Sequence, residues 1–300
     1  MRRLRAYVRF LCLLALVSPL AYAQIAVTDD RGDTLTLERP ARRIVSLSPH
    51  ITELLFAAGA GARVVGTVEY SDYPPAARVI PRIGNYGAVN LEALLALRPD
   101  LVVAWGSGSP AALVQRLRDL GVPVYVTEPR RLADIADHIA RLGHLTGTAV
   151  IAQAATDDFR RRLRALRGRY AGDSEVSVFY EVWHAPLTTI NGAHLISKVM
   201  RLCGGRNVFA DLPMLAPQIN IESVLARDPD AIVVSGTADA PDELRNWREY
   251  PELRAVAAGH LYFIDPDLIQ RHTPRILDGA EVMCGQLERV RDGLPDNLRQ

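Results

Sequence analysis

Lysine is almost missing from this chain of 300 residues: Lys198 is the only one, and arginine carries nearly all of the positive charge. That bias reads as genome composition rather than function. Neither sign of charge dominates, since the formal net charge is +1. No basic run stands out, which excludes the electrostatic footprint of a nucleic-acid binder. Long apolar runs are also lacking. The one candidate, LCLLALVSPL at residues 11–20, is too short to span a bilayer comfortably. It follows Arg2, Arg3, Arg5 and Arg9 and precedes Ala21-Tyr22-Ala23, the order of a secretory signal covering residues 1–23. Cys12 lies early in that run rather than at its end, so it is not read as a lipid-attachment cysteine. Removing the signal takes away four arginines and no acid, which leaves a mildly acidic, soluble, exported chain.

Cysteine is scarce too, with only Cys203 and Cys284 beyond the signal. In an oxidising compartment such an isolated pair reads as a disulfide, two buried thiols being the alternative. The long loop between them would give a stabilisation of about 4–5 kcal/mol in the entropic model. Enzyme signatures are thin. Gly59-Ala60-Gly61 is followed by Val64 where a dinucleotide fingerprint needs glycine, and it follows a helix rather than a strand. Gly106-Ser107-Gly108-Ser109 does not make a nucleophile elbow, and there is no P-loop. No spacing sets a nucleophile beside its base. No catalytic residue and no cofactor is therefore assigned.

What the chain does have is a repeat. NLEALLALRPDLVVAW (90–105) and NIESVLARDPDAIVVS (220–235) match at constant offset: Asn90 with Asn220, Glu92 with Glu222, Pro99-Asp100 with Pro229-Asp230. So long a period is a whole lobe rather than a solenoid unit. Apolar β-branched runs alternate with helical stretches around each copy, the pattern of parallel strands buried on both faces. Residues 25–38 read as a hairpin. In the first lobe, strands are expected at 44–47, 64–68, 101–105 and 122–127, with helices at 51–59, 91–98, 110–119 and 131–145. In the second, strands are expected at 176–182, 231–236 and 260–265, with helices at 194–202, 221–227, 242–248 and 274–292. Between the lobes, 148–170 makes one long helix with apolar positions at Val150, Ala154, Phe159, Leu163 and Leu166 and an arginine-rich, solvated other face. The fold class expected is α/β: two similar lobes with parallel-type sheets flanked by helices, joined by one connecting helix. The domains are then 24–147, 148–170 and 171–300, with a ligand cleft between the lobes.

Ligands of such sheets bind beyond the carboxyl ends of the strands. The loops there hold Tyr70, Tyr73, Tyr86, Trp105 and Trp183, large flat surfaces suited to a planar ligand, although strand-end aromatics also cap cores. His50, His184 and His272 each follow a strand and could converge, but without metal-ligand spacing, so no metal site is assigned. Glu92 and Glu222 each sit two residues past an asparagine at a helix start. N-capping and the helix dipole account for them individually. Their equivalence suggests instead a two-point docking surface for arginines of a partner.

RIVSLSPHITELLFAAGAGARVVGTVEYSDYPP (43–75), the repeated NLEALLALRPDLVVAW and LCGGRNVF (202–209) resemble the helical-backbone periplasmic substrate-binding proteins of ABC importers. Within that class, SDYPP and the cysteine placement are most similar to the cobalamin binders. The resemblance spans residues 43 to about 290. It implies a periplasmic monomer holding cobalamin or a related corrinoid between two lobes that close little. It implies that Tyr70, Tyr86, Trp105 and Trp183 face the corrin and that Asp267-Leu268-Ile269-Gln270-Arg271 contact it from the second lobe. It also implies a Cys203–Cys284 disulfide, and Glu92 and Glu222 docked on the importer's permease subunits. The chain departs from the pattern at Tyr86, where a tryptophan is expected, around Leu215, which lacks an aromatic, and in a longer 183–192. Haem or ferric-siderophore binding on the same fold is the alternative, and an exported metal-dependent hydrolase a more distant one.

Overall fold

The computed structural model describes residues 24–85, 87–172, 174–236 and 242–293. The expected signal, residues 1–23, and Tyr86 lie outside the described residues. An antiparallel hairpin, β1 (Ile25–Thr28) and β2 (Thr34–Leu37), precedes the first lobe. In that lobe β3 (Ile44–Ser46), α1 (Pro49–Ala57) and β4 (Val64–Gly66) are followed by a short pair, β5 (Gly84–Asn85) and β6 (Ala88–Val89). Then come α2 (Leu91–Ala96), β7 (Leu101–Trp105), α3 (Ala111–Asp119), β8 (Val124–Thr127) and α4 (Leu132–Thr146). The connecting helix is α5 (Ala149–Arg169). The second lobe comprises β9 (Val176–Glu181), α6 (Leu195–Leu202), β10 (Gly205–Asn207), α7 (Ile221–Arg227), β11 (Ala231–Ser235) and α8 (Asp242–Trp247). It continues through α9 (Arg254–Ala257), β12 (Leu261–Ile264), α10 (Pro266–Ile269) and α11 (Ile276–Gly293).

The two main sheets share one topology. Their strand orders are β4-β3-β7-β8 and β10-β9-β11-β12, every pairing in both being parallel. Each lobe thus runs second strand, first, third, fourth, and the order reverses between its first and third strands. In an open parallel sheet that reversal leaves a crevice at the carboxyl ends. Side chains alternate across each strand. Ile44, Leu101, Val103, Val176, Val178, Tyr180 and Val233 face a core common to both lobes. Val45, Val102 and Ala104 face a core of the first lobe, and Phe179, Ile232 and Val234 one of the second. Because the common core is continuous through Phe159, Leu163 and Leu166 of α5, the lobes share buried surface.

The helix α5 stands where the pattern puts it, but its buried stripe begins differently. Val150 is 86% exposed, whereas Ala152 and Thr156 are buried. The packed series Ala152, Thr156, Phe159, Leu163 and Leu166 keeps helical spacing. Its first two members are small because α4 passes close by: a side chain on Gly143 would collide with Ala152, and Thr156 Oγ1 donates to Ala136 O at 3.3 Å. Close approach of the backbones thus outweighs the apolar character of Val150. The short strand β10 and the small helices α9 and α10 are absent from the sequence expectation. Cys203 and Cys284, both buried, form a disulfide that ties the end of α6 to α11.

Within the repeat, Asp100 and Asp230 perform the same task. The Asp100 carboxylate accepts from the Arg42 and Arg43 amides at 2.9 and 2.7 Å, and its own N–H donates to Arg43 O at 2.9 Å. The Asp230 carboxylate accepts from the Ser177 amide at 2.9 Å, and its N–H donates to Ser177 O at 2.9 Å. Each aspartate pins the start of its lobe's first strand to the entry of the third.

Candidate functional site

The carboxyl ends of the two sheets face one cavity of about 1050 Å³. The first lobe lines it with Ser48, Pro49 and His50 after β3, Tyr70 after β4, Trp105 and Ser107 at the end of β7, and Glu128 to Arg131 after β8. From the second lobe come Val182 after β9, residues from Ile190 to Lys198 around the start of α6, Leu215, Ala216, and Gln270, Arg271 and His272 after α10. The chain's only lysine is therefore in the cleft, its Nζ donating to Gly192 O at 2.7 Å.

The floor is a cluster of rings. His50 and Trp105 meet edge-on with centroids 5.2 Å apart. The His272 ring lies 5.7 Å from His50, 6.1 Å from Trp105 and 6.4 Å from His194. Burial drives His50 well below the ordinary histidine value, with His272, His138 and Arg271 adding to the effect. Burial alone brings His194 to about 4, and burial with the neighbouring His194 and His138 brings His272 to about 4. At neutral pH these imidazoles are uncharged. Ser48 Oγ meets His50 Nδ1 at 2.7 Å. At the edges the character changes. Tyr70 is 70% exposed with a left-handed φ of 63°, and Trp183 is 66% exposed with its indole N–H held by Ala185 O at 2.9 Å. Large aromatics left in water call for a partner surface.

An ion network ties the lobes together beside the cleft. Glu53 on α1 is buried, and both its oxygens meet Arg275, at 2.7 and 2.9 Å. Arg271 reaches Glu53 at 3.1 Å, Asp72 at 2.7 Å and Asp267 at 2.8 Å. Burial would raise Asp72, but the Arg271 guanidinium more than offsets this and holds it below the usual carboxylate range. Arg275 also covers the Tyr73 ring at 3.9 Å. The carboxylates Glu53 and Asp72 come from the first lobe and both arginines from the second.

The structure sorts the sequence candidates. Tyr70, Trp105, Gln270 and Arg271 line the cavity. Trp183 flanks it next to the lining residue Val182. Arg271 is engaged by three carboxylates, and Asp267 is one of them. Ile269 is fully buried, and Leu268 is not among the lining residues. The expected convergence of three histidines needs correcting. His50 and His272 come together, but His184 is held away by Glu181 at 3.1 Å and Asn246 at 2.9 Å. The third imidazole is His194, which sequence reading placed inside a helix. It caps α6 instead, its Nδ1 accepting from the Ile196 amide at 3.2 Å. Glu53 was also missed, although a lone acid within the apolar stretch ITELLFA is a readable signal. Glu92 and Glu222 are exposed in the first turns of α2 and α7, behind the N-caps Asn90 and Asn220, which accept from Ala93 N and Ser223 N at 2.9 Å. Among the described residues no group of three or more His, Cys, Asp or Glu could hold a metal ion, and no helix is long and apolar enough to cross a membrane.

Two lobes of one topology, a helix between them and a ligand-sized cleft define a bilobal solute-binding protein. Residues 44–268 match the model of the periplasmic binding protein family, and the chain belongs to that family. A vitamin B12-binding protein of Vibrio cholerae is 40% identical over 250 residues, covering 83% of this chain and 90% of the relative. One from Yersinia pestis is 36% identical over 251 residues, covering 83% and 88%. The crystal structure of the periplasmic vitamin B12 binding protein of Vibrio cholerae superposes with a TM-score of 0.80 over 84% of this chain and 98% of that one. A periplasmic haem-binding protein of Roseiflexus, at 21% identity, shares the fold with a TM-score of 0.73, covering 83% and 99%.

Proposed function

We propose that the protein captures cobalamin or a related corrinoid such as cobinamide in the periplasm and delivers it to an ABC-type importer, working as a monomer and catalysing nothing. One observation carries this reading. A cavity of about 1050 Å³, walled by both lobes and edged by exposed aromatics, lies in a chain 40% identical to a vitamin B12-binding protein over most of both lengths. Tyr70, Tyr86, Trp105 and Trp183 lie against the macrocycle, Gln270 and Arg271 meet its edge, and Asp267, Leu268 and Ile269 set that loop. The common core and the Glu53–Arg271–Arg275 network support a cleft that closes little. Glu92 and Glu222, with no ionic partner among the described residues, dock on permease arginines.

A metalloporphyrin is the second reading, favoured by the imidazoles on the cleft floor. Calorimetric titration of the mature chain with cyanocobalamin, cobinamide, hemin and a ferric siderophore decides between them. Corrinoid binding tighter than about 10 μM, roughly −7 kcal/mol, is expected. Hemin binding in that range without corrinoid binding replaces the first reading with the second.

A further inference from the structure

Three ring nitrogens on the cavity floor are buried without a hydrogen-bond partner among the described residues: His50 Nε2, His272 Nδ1 and Trp105 Nε1. Folded proteins rarely leave such groups unpaired. Gathered on one wall of a ligand-sized cavity, they call for a partner that arrives with the ligand. The indole N–H can only donate, so it suits a carbonyl on the ligand rim. The imidazoles can instead offer a lone pair, but they are not equivalent. His194 accepts at Nδ1 from the Ile196 amide, which puts its proton on Nε2 and makes that nitrogen a donor. The Nδ1 of His50 is taken by Ser48, and its ring is the most deeply buried of the three. His272 stands between them, lines the cavity and makes no hydrogen bond among the described residues. Its burial keeps it uncharged at neutral pH, so one of its ring nitrogens carries a lone pair.

We infer that His272 supplies an axial nitrogen to the central metal of a bound corrinoid whose own axial position is open to exchange. Imidazole nitrogen is a favoured ligand of first-row transition metals. The step is a ligand exchange: the cobalt–water bond breaks, water leaves, and a cobalt–nitrogen bond forms from the imidazole lone pair. The metal keeps its oxidation state and no proton is transferred. The corrinoids ligated in this way are those with a water or an empty position on one face of the metal, including those that lack a nucleotide base. This inference rests on the corrinoid reading above, and one experiment separates the two.

Aquocyanocobinamide, which has no base of its own and one exchangeable water, is titrated into the mature protein while heat and visible absorption are followed together. The expected result is binding with a shift of the absorption bands from the water-ligated to the nitrogen-ligated form. His272→Ala and His272→Gln should lose the shift, and free imidazole added to His272→Ala should restore it. Cyanocobalamin, with both axial positions filled, should bind to the unaltered protein without a shift. Because the decisive spectrum is that of the unaltered protein, the test survives a variant that fails to fold. Heat of binding with unchanged bands overturns the inference and leaves the corrinoid reading standing. A shift that persists in His272→Ala overturns the assignment to His272. No heat with any corrinoid overturns both.

Discussion

The two lobes agree in their scaffolding and differ in what they bring to the cleft. Both use the same strand order, both cap the repeated helix with asparagine, and both pin their first strand with an aspartate. At the cleft the copies part. The first lobe gives His50, Trp105 and the carboxylates Glu53 and Asp72, while the second gives His194, His272 and the arginines 271 and 275. Repetition made a pair of supports, and divergence at the carboxyl ends made one asymmetric site that also holds the lobes together. The glutamates are the exception: they repeat, yet among the described residues neither side chain forms an ion pair or hydrogen bond.

Glu53→Ala attacks the asymmetric part and should have the largest effect. It leaves two arginines without their shared buried partner, a change worth about 3–5 kcal/mol, read as a lowered urea midpoint. Acidification attacks the floor next. His194 and His272 are held near 4 in the folded chain, whereas the unfolded chain takes up these protons near 6.5. The unfolded state therefore binds more protons between those values. Stability should be unaffected above pH 6.5 and should fall as the pH drops toward 4, by up to about 3 kcal/mol per histidine. Urea midpoints at pH 7.5 and 4.5 check this, and replacing both histidines by glutamine should reduce the difference, leaving the part that His50 contributes.

Asp100→Ala and Asp230→Ala test the shared scaffold. Each removes charge-assisted hydrogen bonds to a strand start and should cost about 1–3 kcal/mol, similar in the two lobes. A large effect in one lobe alone would break the claimed equivalence. The smallest stability effect belongs to Glu92→Arg with Glu222→Arg, within about 0.5 kcal/mol. That double variant should nevertheless abolish transporter-dependent uptake while leaving ligand affinity intact. Uptake at the unaltered level would remove the docking role.

The sequence made the architecture legible because the repeat and the buried strands are local patterns. NLE and NIE mark equivalent helix starts, and LVVAW and AIVVS mark central strands whether or not the fold is known. The site was legible where it lies just beyond strand ends, as for Tyr70 and Trp105. It was hidden where it depends on lobes meeting in space. Glu53 and Arg275 are far apart in the chain, and nothing local marks them as partners. His194 reads as one more helix residue until α6 is seen to begin at Leu195. The exposed Val150 shows the same limit: the buried stripe runs through Ala152 instead, where α4 approaches α5 closely.

The cleft between the lobes is the proposed place of corrinoid binding. Ala193 lines that cleft ahead of α6. Calorimetry of Ala193→Trp with cyanocobalamin, beside the unaltered chain, therefore tests it. One ligand should bind per unaltered chain, and the added indole, by filling the cavity, should abolish or greatly weaken that binding while the thermal transition stays in place. Affinity equal to that of the unaltered chain would contradict the account.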